Sequence, residues 1–210
     1  MPFNFIQAVE VLGTASFAIS GASMAIQKKL DIFGVLVISF ATSIGGGTLR
    51  DLLIGHTPVE WLQNERIITV IFVGAITTFF FRTAVGQLKR TLFLFDSMGL
   101  GLFTMVGLEK GIAMDFSPGI CIALGTITGC FGGVTRDVLL NNVPVIFHKE
   151  IYASACIVGG VLYFLLKRMQ LDAQVAQTIC MALIVFIRIL AVSYHLSLPS
   201  FHLKNKGHET

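Results

Sequence analysis

Two strings in this chain combine residue types able to do chemistry: Gly45-Gly46-Gly47-Thr48-Leu49-Arg50-Asp51 and Gly132-Gly133-Val134-Thr135-Arg136-Asp137. Each sets a glycine cluster ahead of an Arg-Asp pair inside a long apolar run, and the second repeats the first 86 residues later. Hydrocarbon penalises helix-breaking residues and charges alike, so a chain that does this twice is expected to build a polar path through a membrane. The chemistry expected is ion handling. Glycines permit a kink or an opened turn whose carbonyls face water or an ion, and the hydroxyls of Thr42, Thr48, Thr128 and Thr135 can replace part of a cation's hydration shell. Two plainer uses stay open: glycines also let helices pack closely, and Thr hydroxyls in spans bond their own backbone.

The charges set a second expectation. Arg50 and Asp51 are adjacent, about 100° apart around a helix, so each should need a partner on another helix. Similar depth suggests Glu10 for Arg50, and Asp96 for Arg136, one ion pair near each face. Asp51 and Asp137 are then left to cap neighbouring helix ends or face a water-filled vestibule. Arg188 either closes the network or binds a lipid phosphate. The alternative that these charges only fasten helices together stays open.

The elements that must position these residues follow from hydropathy. The chain is 54% hydrophobic and 13% charged, against roughly a quarter charged in soluble proteins. Apolar runs fall at 5–26, 32–54, 67–81, 92–108, 118–140, 151–166 and 176–192. Several approach the roughly 20 residues that a spanning helix needs; the third and sixth are shorter and depend on their flanks. The fold class is therefore an all-α polytopic membrane protein of seven transmembrane helices. It reads as one membrane domain over 1–198, with a short tail at 199–210.

Sliding the chain by 86 residues superposes spans one to three on spans four to six without a gap. The identities include Gly13/Gly99, Phe17/Phe103, Gly21/Gly107, Thr42/Thr128, Gly46/Gly132, Arg50/Arg136, Asp51/Asp137 and Pro58/Pro144, and Glu10 meets Asp96. Three is an odd number of spans, so the second triplet must enter from the opposite side. The repeats run over 5–84 and 91–170, with the seventh helix at 174–195. Lys and Arg number eight in the loops opposite the N-terminus (Lys28, Lys29, Arg82, Lys89, Arg90, Lys149, Lys204, Lys206) and four on its own side (Arg66, Lys110, Lys167, Arg168). That bias predicts an external N-terminus and a cytoplasmic C-terminus.

Other classes find little support. No basic stripe interleaved with aromatics suits nucleic acid. His56, His148, His195, His202 and His208 fall in loops or the tail, with no nucleophile or metal constellation. Cys121, Cys130, Cys156 and Cys180 lie in apolar runs and read as small buried hydrophobes. No enzyme and no resident cofactor is expected; the ligands in view are a permeant K⁺ or Na⁺ and bound lipid.

Two inverted three-helix repeats plus a seventh helix, with Gly-Gly-x-x-Arg-Asp in spans two and five, resemble the trimeric intracellular cation (TRIC) channels, more closely their bacterial and archaeal branch. Arg188 within Ile187-Arg188-Ile189-Leu190-Ala191 is similar to the seventh-span pattern of that branch, and the resemblance covers about residues 9–196. It implies a homotrimer with a pore in each subunit, lined mainly by spans two and five, passing monovalent cations with K⁺ foremost. Animal members carry a Lys-Glu-Val type motif where this chain has Gly-Gly-Val-Thr-Arg-Asp, so phosphoinositide binding is not implied. Some bacterial relatives are labelled glycine transporters, which keeps a small-zwitterion transporter as the alternative.

Overall fold

The computed structural model describes residues 4–81, 88–147 and 151–194. Arg82, His148, Lys149, Lys204, Lys206 and the tail at 199–210, all used in the sequence reading, lie outside them. The described residues form α1 (Phe5–Gln27), α2 (Ile32–Leu53), the single turn α3 (Glu60–Gln63), α4 (Glu65–Phe80), α5 (Leu88–Ala113), α6 (Pro118–Leu139), a 3₁₀ turn (Val145–Phe147), α7 (Ala153–Arg168) and α8 (Ala173–Ser193). Five of them (α1, α2, α5, α6 and α8) are long and apolar enough to cross a membrane. α4 and α7 have 16 residues each, about 24 Å of rise against roughly 30 Å of hydrocarbon.

Local chemistry sets the helix ends. Asp31 accepts a hydrogen bond from Gly34 N at the start of α2, Asn64 from Arg66 N at the start of α4, and Asp172 from Gln174 N and Val175 N at the start of α8. Pro118 opens α6, where its missing N–H costs nothing. Left-handed residues follow α1, α2, α5 and α6 at Lys29, Gly55, Asp115 and Asn141. These form two pairs, Lys29/Asp115 and Gly55/Asn141, in the 86-residue register, so the repeat extends to the backbone conformation that stops each helix.

α1 packs on α5 and α2 on α6, joined by α1–α2 and α5–α6 contacts. Small residues allow this closeness. Phe17 lies against Gly99 and Phe103 against Gly13, and the two rings stack at 5.3 Å. Gly21 faces Thr42, and Gly107 faces Thr128. These reciprocal contacts are the local signature of a pseudo-twofold axis between the triplets. We call the end where α1 begins the first face and the end where it finishes the second. The four cysteines are buried and free, as expected.

α8 is tied on by a polar cluster that hydropathy did not reveal. Glu109 Oε1 accepts from Tyr163 Oη and from Gln177 Nε2, both at 2.6 Å, joining α5, α7 and α8. Tyr163→Phe removes one hydrogen bond to a charged group and is expected to cost about 1.5–3 kcal/mol. A thermal unfolding midpoint in detergent equal to that of the parent chain would refute this role.

Candidate functional site

The candidate site lies at the two ends of the α2–α6 pair. At the second face, Arg136 (2% exposed) donates from Nη1 to Asp96 Oδ1 at 2.5 Å and to Ser20 Oγ at 2.7 Å, and from Nε to Asp137 Oδ1 at 2.9 Å. The other oxygen of Asp137 accepts from Val145 N at 3.2 Å, fixing the 3₁₀ turn. These groups border a cavity of about 830 Å³ that also reaches Lys28, Asn141, Asn142 and Arg188. Arg188 donates to Ile151 O and lies over the rings of Tyr152 and Phe93. It borders the same cavity as Arg136 from the opposite element.

At the first face Arg50, 1% exposed, donates from Nε to Asp51 Oδ1 at 2.8 Å and from Nη2 to Glu60 Oε2 at 3.0 Å. Lys110 on α5 reaches the same Glu60 oxygen at 3.1 Å. Asp51 Oδ2 accepts from Glu60 N at 2.9 Å, and Trp61 Nε1 donates to Thr48 Oγ1 at 3.2 Å. Underneath is a cavity of only about 20 Å³, bordered by Glu10, Thr14, Ser43, Gly47, Arg50, Glu60 and Trp61. That is room for about one water.

These distances correct three expectations. The Arg136–Asp96 pair forms, but Arg50 pairs with Glu60 in place of Glu10. Adjacent Arg and Asp do neutralise each other: a guanidinium on a long stem turns back across the 100° that separates the two Cα–Cβ directions, and both Arg-Asp pairs do so. Asp51 and Asp137 cap short helical turns, one of the two roles foreseen for them.

The third correction concerns the glycines. α2 and α6 run as unbroken helices through Gly45–47 and Gly132–133, and none of these glycines is left-handed. No turn is opened. A Cβ on Gly46 would penetrate the Thr128 carbonyl oxygen, and one on Gly132 would lie 2.6 Å from the Thr42 carbonyl oxygen. Gly45 abuts Thr135 Oγ1 and Gly133 abuts Tyr152 Oη, whereas Gly47 has nothing closer than 3.9 Å. The glycines bring two backbones together between the two polar mouths. Three of the four named threonines donate to their own helix, Thr42 to Ile38 O, Thr128 to Leu124 O and Thr135 to Phe131 O. Thr48 accepts from Trp61.

Glu60, Trp61 and Lys110 were missed as site residues. The available signal was a break in the repeat: Glu60 and Trp61 register with Ile146 and Phe147, and Lys110 with Met24.

The comparisons with known proteins agree with this geometry. The sequence model of the family described as glycine transporter matches residues 7–83 and 93–168, which are the two triplets. A UPF0126 membrane protein of Vibrio cholerae is 37% identical over 201 residues, 95% of this chain and 84% of the relative. The UPF0126 inner membrane protein YadS of Escherichia coli is 35% identical over 95% of this chain and 97% of its own. A solved TRIC trimeric intracellular cation channel orthologue from Rhodobacter sphaeroides superposes with a TM-score of 0.86 at 32% identity, covering 91% of this chain and 98% of that one. The chain belongs to the glycine transporter family, and its fold is that of the prokaryotic TRIC channels.

Proposed function

We propose that the chain is a monovalent cation channel, K⁺ foremost, with a pore in each subunit of a homotrimer. The carrying observation is a pair of cavities at the opposite ends of α2 and α6, each bordered by carboxylates, with the Thr42 and Thr128 carbonyls set against Gly132 and Gly46 between them. At the first face Glu10, Asp51 and Glu60 outnumber Arg50 and Lys110, an excess that favours cations, and carbonyl and hydroxyl oxygens are suitable ligands for a partly dehydrated ion. Arg50 and Arg136 do not oppose this, because each is paired with carboxylates at hydrogen-bond distance. The likeness to a solved channel named as trimeric supports the assembly and the permeant class. Relatives named as inner membrane proteins and the loop charge bias support a multi-pass protein with the first face outward.

The second reading, a carrier for a small zwitterion such as glycine, is favoured by the family's description and by the second-face cavity, where guanidinium, carboxylate and amide groups border about 830 Å³. Purified protein in a planar bilayer under a K⁺/Na⁺ gradient separates the two. Ohmic unitary currents reversing toward the K⁺ potential are expected. Silence in that recording, together with saturable glycine uptake into proteoliposomes, would replace the channel with the carrier.

A further inference from the structure

We propose that the turn at Glu60–Gln63 is a latch over the first-face mouth, and that Arg50 is its switch, holding Glu60 when the mouth is shut and Glu10 when it is open. Three observations carry this. First, the two mouths differ about fortyfold in volume, about 20 Å³ against about 830 Å³, although their helices are repeats of one another. Second, the difference lies where the repeat breaks. On the first face Glu60 is bonded by Arg50 and Lys110, and Trp61 by Thr48. On the second, Ile146 and Phe147 stand at those positions, offer no carboxylate or indole N–H, and leave Phe147 75% exposed. Third, Arg50 has an alternative partner at hand. Its Nη1 is buried without a hydrogen bond, and Glu10 borders the same small cavity. In the open half the matching arginine, Arg136, is held by Asp96, the residue that registers with Glu10.

Arg50 and Glu10 border the same small cavity, so the guanidinium has a second carboxylate within the site to turn to. The two-position arginine gives a bistable element. For Arg50, opening exchanges a bond to Glu60 for one to Glu10, while the Trp61–Thr48 and Lys110–Glu60 bonds weight the equilibrium toward the shut state.

The latch rests on the channel reading for its role in conduction, but its motion is testable without it. Ser43→Cys places a thiol in the shut cavity, and a cationic methanethiosulfonate labels it in nanodiscs, with the parent chain as control because its four cysteines are buried. Adding Glu60→Gln is expected to speed labelling by roughly tenfold to a hundredfold, the change for one charge-assisted bond lost. Adding Glu10→Gln to that variant is expected to slow it again. Trp61→Phe, which leaves the charges intact, should also speed labelling and serves if Glu60→Gln does not fold. Unchanged labelling in Glu60→Gln, or in Trp61→Phe where that substitute is used, overturns the latch. Fast labelling that ignores Glu10→Gln overturns the switch. Labelling as expected with no current from any variant in planar bilayers leaves the latch standing and removes the channel.

Discussion

Replacing Arg136 with alanine is expected to cost about 3–5 kcal/mol, a large share of the roughly 5–15 kcal/mol that holds a typical domain together. The reason is not the loss of an attractive pair as such. Asp96 and Asp137 are 4% and 2% exposed, and both depend on one guanidinium. Without it two carboxylates sit together in low dielectric, where each charge costs several kcal/mol. Asp137 would also loosen its hold on the 3₁₀ turn through Val145 N. The double variant Arg136→Gln with Asp96→Asn removes one charge of each sign and should recover much of the loss. The measurement is the unfolding midpoint in detergent together with the yield of monodisperse protein. An alanine variant that purifies with the parent's midpoint would mean that the cluster is not structurally important. Arg50→Ala strands Asp51, 1% exposed, in the same way, but Glu60 is 26% exposed and keeps Lys110, so a smaller loss is expected.

The second large effect concerns a single methyl group. Gly46→Ala is expected to destroy the α2–α6 contact, and Gly47→Ala to be nearly silent. A methyl at 46 would penetrate a backbone carbonyl of α6, which has no rotamer by which to escape. The helices must separate or shift register, and overpacking of this kind costs typically 1–3 kcal/mol and occasionally more. At 47 the nearest foreign atom is the flexible end of Arg50, at 3.9 Å. There alanine should be neutral or slightly stabilising, because glycine weakens helices by roughly 1 kcal/mol relative to alanine. Gly132→Ala should follow Gly46→Ala, since its methyl would meet the Thr42 carbonyl. Unfolding midpoints and unitary conductance of the three variants check the order. Equal effects at 46 and 47 would show that the glycines matter for flexibility rather than approach.

Most of the helical frame was legible because hydrocarbon imposes it. Apolar runs between short polar connections mark the long helices, and the 86-residue register relates the two triplets in the sequence itself. Boundaries slipped where charge intruded: the fourth long helix starts at Leu88, ahead of the apolar run at 92, and carries Lys89 and Arg90 in its first turn. The site was legible in part: the Arg136–Asp96 bond forms as expected, whereas Glu60, Trp61 and Lys110 left no signal within the spans. Depth along a helix pointed to Glu10 for Arg50, because Glu10 lies within a span and Glu60 does not. A connection that folds back over a helix end leaves no periodic trace, and Glu60 arrives by that route. The glycines were ambiguous for a different reason. One residue type serves both a broken helix and a close crossing, and only the position of the opposing carbonyl decides between them.

The 16-residue lengths of α4 and α7 reach beyond the protein itself. At 16 residues each, the two helices rise less than the acyl layer is thick. Lipid there must compress or tilt to meet them, at fractions of a kcal/mol per ångström. Short or unsaturated chains are therefore expected to gather beside these two helices, so that the thickness of the host bilayer bears on how the molecule sorts among membranes, a preference that no charged side chain encodes.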